Sequence, residues 1–162
     1  MPSSSLGTVA TTSGSPHGHR WAMPCTPRGG RPDVVATVPR LDDGTPFPTL
    51  YYLTCPRAAS AVSTVESTGI MREMTARLAD DAGLADRYRA AHENYLDARL
   101  AIEDVAEIAG VSAGGMPDRV KCLHVLVAHA LAAGAGVNPL GDEALAAAVE
   151  SAGSWWEDGP CV

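Results

Sequence analysis

The residues best suited to chemistry lie in the segment SAGGMPDRVKCLHVLVAHALAAG. Paired glycines, Gly114 and Gly115, precede an almost wholly apolar run. That run carries three nitrogen-bearing side chains: Lys121, His124 and His129. Reactive groups are unusual on a helix whose composition favours burial. An ammonium, imidazoles and the exposed N–H groups of a glycine turn are donors that bind anions. We therefore predict that the region from Gly114 to His129 recognises a small anionic ligand, with a protein partner as the alternative.

The spacing of these side chains limits what a metal ion could use. If the helix begins at Pro117, Lys121 and His124 are neighbours on one side, whereas Cys122 and His129 share another side about 10 Å apart. No two of Cys122, His124 and His129 then ligate one ion. A metal-dependent enzyme, the second hypothesis, would use His124 or His129 with ligands from other segments. His92 and Arg99 border the apolar side of the preceding helix and are candidates to meet the central helix, and His92 is included among the predicted ligand-binding residues.

The four cysteines suggest a different metal site. A hairpin turning near Asp43 and Gly44 would bring Cys25 towards Cys55, and Cys122 and Cys161 would complete a four-thiolate set for zinc or an iron–sulfur cluster. The chain lacks a CxxC pair, and the alternative is that Cys122 is a small buried apolar residue. Cys55 directly precedes Pro56, at a predicted helix N-terminus where the helix dipole favours the thiolate.

The charge distribution argues against nucleic acid as a partner. The net charge is -7, and all 19 acidic residues lie at or after Asp33. Binding to nucleic acid that is independent of sequence needs a basic face that displaces counterions. Arginine supplies every cation but one, so the single lysine, Lys121, suggests a need for a compact ammonium.

Hydropathy patterning predicts a cytoplasmic protein. The best apolar run, around Cys122 to Ala133, is shorter than a membrane span and contains two histidines. The N-terminus lacks the apolar core of a signal peptide. In a reducing compartment the cysteines are expected to be free thiols or metal ligands before disulfides.

The elements that must position these residues form one domain of α+β class, mainly helical. Residues 1–32, rich in Ser, Thr, Gly and Pro, are predicted to be a disordered leader, residues 33–152 the domain and residues 153–162 a tail that hides two tryptophans. VVATVPR and FPTLYYLT predict one N-terminal hairpin. About five helices follow: Pro56 to Gly69, Ile70 to Ala82, Leu84 to about Val105, the central helix from Pro117, and a final helix in NPLGDEALAAAVE.

Four strings resemble one bacterial family. They are DGTPFPTLYYLTCP (43–56), ESTGIMREMTARL (66–78), SAGGMPDRVKCLHVLVAHALAAG (112–134) and GVNPLGDEAL (136–145). They are similar to DUF501, a mostly actinobacterial family without an established activity. The resemblance implies a cysteine-rich CPCG-like segment before the first strand. Here that segment reads AMPCTPRGGRP and keeps only Cys25, so the family's pattern does not supply a full set of metal ligands.

Overall fold

A computed structural model describes residues 34–152 in full and the backbone of residues 21–25. Predictions about the remaining residues, including Cys161 and the two tail tryptophans, lie outside the described part. So does the side chain of Cys25.

A three-stranded antiparallel sheet precedes the helices, in the order β1 (Trp21–Cys25), β2 (Val34–Thr37) and β3 (Tyr51–Leu53). β2 and β3 pair Val34 with Leu53 and Ala36 with Tyr51, which confirms the predicted hairpin. The prolines between them, which donate no backbone hydrogen bond, keep this pairing short. β1 pairs antiparallel with β2, and the sequence analysis predicts no strand there. The closest pair, Cys25 with Val34, is nine residues apart, and the composition of residues 1–32 does not indicate this pairing.

Five helices follow, and the mainly helical α+β class is confirmed. They are α1 (Pro56–Glu66), α2 (Ile70–Asp80), α3 (Ala82–Leu100), α4 (Leu123–Ala133) and α5 (Pro139–Ala152). Pro56 occupies the first turn of α1, and Gly69, at φ 84°, allows the sharp change of direction into α2. The side chain of Asp81 accepts from the N–H of Leu84 at 2.9 Å and caps α3.

The start of the central helix was predicted wrongly. α4 begins at Leu123 and not at Pro117, because residues 112–122 form turns and irregular backbone. The N–H of Lys121 donates to the carbonyl of Gly114 at 2.8 Å, which closes the chain into a compact loop. The helix geometry assumed for Lys121 and Cys122 therefore does not apply. α3 likewise ends at Leu100, before the predicted Val105.

α4 runs through the middle of the core. Leu123, Leu126 and Val127 are fully buried, and α5 packs closely against this helix at Gly141. Tyr88 and Tyr95 on α3 are also fully buried. Within residues 34–152, no helix is long and apolar enough to cross a membrane.

Candidate functional site

The loop that carries the paired glycines is held in place from two neighbouring helices. We call residues 110–121 the glycine loop. Thr75 on α2 accepts from the N–H of Val120 at 3.0 Å, and the hydroxyl of Tyr88 on α3 donates to the carbonyl of Arg119 at 3.1 Å. A side chain on Gly115, at φ 95°, would collide with the same Arg119 carbonyl. The loop conformation is therefore fixed by tertiary contacts before any ligand arrives.

An open pocket of about 590 Å³ lies in the glycine loop and is lined by residues 110–119 and 121. Three of the residues predicted to bind a ligand therefore line one pocket: Gly114, Gly115 and Lys121. Lys121 and Arg119 are exposed, and within the described chain their side chains make no ion pair or hydrogen bond. Asp118 is the one acidic residue in the lining. The charged residues that line the pocket are therefore two cations, neither of them in an ion pair within the described residues, and one carboxylate.

His92 stands behind this loop. Its Nδ1 lies 2.8 Å from the hydroxyl of Ser112, which in turn donates to the carbonyl of Met116 at 3.3 Å. Burial lowers the pKa of His92. Ser112 is one of the residues that line the pocket, whereas His92 is not. His92 therefore supports the wall of the pocket through Ser112.

A second cluster, formed by Glu66, Cys122 and His124, joins the end of α1 to the start of α4. A carboxylate oxygen, the sulfur and an imidazole nitrogen lie within 4.8 Å of one another, and all three residues are half-buried. His124 Nδ1 is 3.2 Å from Glu66 Oε1, which also accepts from the N–H of Leu123 at 2.7 Å. These three groups provide the nitrogen, sulfur and oxygen ligands that transition metals use.

The surroundings of Cys122 raise the pKa of its thiol. Burial raises its pKa, and the charge of Glu66 acts in the same direction, whereas the backbone N–H groups of Val125 and His124 act in the opposite direction. Cys122 is free. Its environment is the opposite of the electropositive surroundings that activate a cysteine nucleophile.

The imidazole of His124 lies between the hydroxyl of Ser63 and the carboxylate of Glu66, which is the order of groups in a catalytic triad. The hydroxyl of Ser63 is 3.2 Å from His124 Nε2, but it donates to the carbonyl of Ala59 at 2.9 Å. His124 Nε2 faces that same carbonyl at 3.1 Å, so this nitrogen is a donor and not a base for Ser63. The arrangement therefore does not favour nucleophilic catalysis.

His129, predicted to bind the ligand, lies in the core. It is fully buried, with Nε2 2.9 Å from Asn94 Oδ1 and Nδ1 3.2 Å from Asn138 Nδ2. Its ring stacks on Tyr51 and meets the edge of Tyr95. Burial lowers the pKa of His129 to about 4. Both ring nitrogens have hydrogen-bond partners in the core. His129 is therefore separate from the pocket of the glycine loop and from the cluster of Glu66, Cys122 and His124.

The predicted four-cysteine site does not agree with the state of Cys55. Cys55 is disulfide-bonded, so it has no thiolate to offer as a ligand or a nucleophile. Cys122 is instead brought to Glu66 and His124, neither of which is a cysteine. Cys25 and Cys161 belong to the part of the protein whose side chains are not described.

The predicted residues therefore separate into three places. Gly114, Gly115 and Lys121 line the pocket, with His92 behind it; His124 belongs to the cluster with Cys122; and His129 is in the core. Sequence analysis missed Glu66 as a partner of these residues. It lies 56 residues before Cys122 in the chain, and no spacing pattern connects the two.

Comparison with known proteins identifies a family and no further relative. Residues 24–146 match the family described as a protein of unknown function, DUF501. No curated protein and no solved structure matches the chain. Because the match spans most of the sequence, including both the glycine loop and the cluster of Glu66, Cys122 and His124, the chain belongs to the DUF501 family.

Proposed function

We propose that the protein is a binding module that holds a small anion, of the organic phosphate class, in the pocket of the glycine loop. The observation that carries this proposal is the pair of uncompensated cations, Lys121 and Arg119, at a cavity whose walls are already fixed. A volume of about 590 Å³ is in the usual range for a small-molecule site.

The backbone adds donors to the two cations. No backbone hydrogen bond in residues 34–152 uses the N–H of Gly114 or of Gly115. Successive backbone N–H groups in a turn can form a concave anion-binding site. With an ammonium and a guanidinium nearby, they offer several donors to one phosphate, and charged donors give the stronger hydrogen bonds.

Preorganisation supports binding by this loop. Hydrogen bonds from the N–H of Val120 to Thr75 and from the hydroxyl of Tyr88 to Arg119 order the loop in the free protein. A ligand then loses less free energy to ordering the backbone than it would in a mobile loop. Asp118 lines the same pocket and would repel a phosphate placed close to it. We therefore place the anion on the side of Lys121.

The test is a titration of the full-length protein with inorganic phosphate, followed by amide NMR at constant ionic strength. We expect saturable shifts confined to the glycine loop and its neighbours. Lys121→Ala should weaken binding about tenfold, since a charged hydrogen bond is lost. The matched control is Arg87→Ala, which removes an equal charge from the start of α3, beside Gly83.

Two results would overturn the proposal. One is a set of shifts that does not saturate or spreads equally over other surface cations. The other is an equal loss of affinity in Lys121→Ala and Arg87→Ala, which would show that only the overall charge matters.

A further inference from the structure

We propose that Glu66, Cys122 and His124 bind a divalent transition metal of the zinc class. This site is separate from the anion pocket, and either proposal can fail without the other. The ligand atoms come from the last residue of α1 and the first residues of the α4 region, and lie within 4.8 Å of one another.

The orientation of the His124 ring provides the main argument. Nε2 lies 3.1 Å from the carbonyl of Ala59, and a carbonyl only accepts, so this contact is a hydrogen bond in the tautomer that carries its proton on Nε2. In the neutral ring, Nδ1 then presents a lone pair to Glu66 Oε1, 3.2 Å away. Two lone pairs at that distance repel unless a cation lies between them. The cation is either a second proton on the ring or a metal ion.

Cys122 favours the metal over the proton. A proton shared between His124 and Glu66 uses two ligand atoms, whereas the sulfur of Cys122 lies within 4.8 Å of both and offers a metal ion a third. Nitrogen, thiolate and carboxylate together are a typical ligand set for zinc, and a set that contains sulfur is unsuited to magnesium or calcium. A bound dication would also stabilise the thiolate that burial otherwise disfavours.

The surroundings match those of established metal sites. A histidine ligand usually donates its other N–H to a carbonyl or a carboxylate, as His124 does to Ala59. Glu66 is held in turn by the N–H of Leu123, which donates to its Oε1 at 2.7 Å. The side chains of His124 and Glu66 are 31% and 24% exposed, so an ion can enter from solvent.

Charge at the site is balanced without further residues. The N-terminus of α4 points its positive end at the cluster, which by itself disfavours a cation. A carboxylate and a thiolate supply two negative charges that offset the dication. Three protein ligands leave a fourth tetrahedral position for water, as in zinc sites that remain open to solvent.

The experiment is a titration of tag-free, full-length protein with cobalt(II), which reports thiolate coordination as a charge-transfer absorption band. A zinc content measurement after dialysis accompanies it. We expect about one metal ion per chain. Cys122→Ser should abolish the charge-transfer band, and Glu66→Gln should weaken binding at least tenfold while its amide oxygen still accepts from Leu123. Glu73→Gln, an exposed change on α2, is the matched control and should have no effect.

His124→Ala removes a contact between α1 and α4, so its thermal stability is compared in metal-free buffer before affinity is interpreted. If this variant unfolds, Glu66→Gln and Cys122→Ser still decide the matter. The absence of stoichiometric metal in the unaltered protein would overturn the proposal. So would cobalt binding that is unchanged in Cys122→Ser and Glu66→Gln.

Discussion

The role of a residue in this protein depends on how deeply its side chain is buried as well as on its amino-acid type. His92, His124 and His129 are all imidazoles, yet one supports a loop, one faces a carboxylate and one is a core residue. Sequence analysis identified all three as chemically interesting but could not separate them. Burial depends on which helices meet, and a single helix pattern does not contain that information.

His129 should make the stability of the protein sensitive to acid. Its pKa is about 4 in the folded protein against 6.5 ordinarily. Above pH 6.5 the ring is neutral in both states. Between pH 6.5 and 4 the unfolded chain binds a proton that the folded protein does not. The free energy of unfolding therefore decreases as the pH is lowered, by up to about 3 kcal/mol.

Urea unfolding between pH 7.5 and 4 measures this effect. The comparison variant is His129→Gln, whose amide retains a donor for Asn94 and an acceptor for Asn138. It should be less stable overall but should lose less stability on acidification. Parallel pH profiles for the two proteins would contradict the assignment.

Among the helices and strands, some are determined by local sequence and others by tertiary contacts. The bounds of α1, α2 and α5 follow from prolines, glycines and hydrophobic spacing, and these helices were predicted well. The start of α4 was not, because Thr75 and Tyr88 fix the preceding loop from other helices. β1 was missed for the same reason, since its pairing with β2 is not encoded in its own composition.

Because α4 and α5 pack closely at Gly141, we predict that adding one methyl group at this position destabilises the protein. A Cβ on Gly141 would overlap the carbonyl of Leu126 and press on Ala130. Gly141→Ala should therefore separate the helices and destabilise the protein by about 1–3 kcal/mol. Gly83→Ala is the control, because its Cβ would lie at an ordinary 3.4 Å from Asp81 and alanine favours a helix.

Thermal unfolding of the two alanine variants distinguishes a packing effect from a general effect of replacing glycine. We expect a lower melting temperature for Gly141→Ala and an equal or higher one for Gly83→Ala. A Gly141→Ala protein as stable as the unaltered one would show that α4 and α5 can move apart freely.

The whole molecule is acidic, with a net charge of -7, and this limits its partners. The two cations of the glycine loop are a local exception in this acidic chain. Local positive potential suits a small ligand, which enters one cavity. A long polyanion would also meet the acidic surroundings.

We therefore expect no binding to duplex DNA of arbitrary sequence, even at low salt, where electrostatic attraction is strongest. An electrophoretic mobility-shift assay across a salt series tests this expectation. A complex that forms at low salt and weakens steeply as salt is added would contradict it, and would point to a basic surface outside residues 34–152.

Adjacent positions on the backbone contribute to two different proposed sites, since Lys121 lines the pocket and Cys122 belongs to the cluster with Glu66 and His124. The number of residues in this short stretch is therefore constrained, in addition to their identity. Adding or deleting one residue between Val120 and Leu123 would shift one site relative to the other. Homologues that keep both sites should show a constant length here, even where the neighbouring side chains vary.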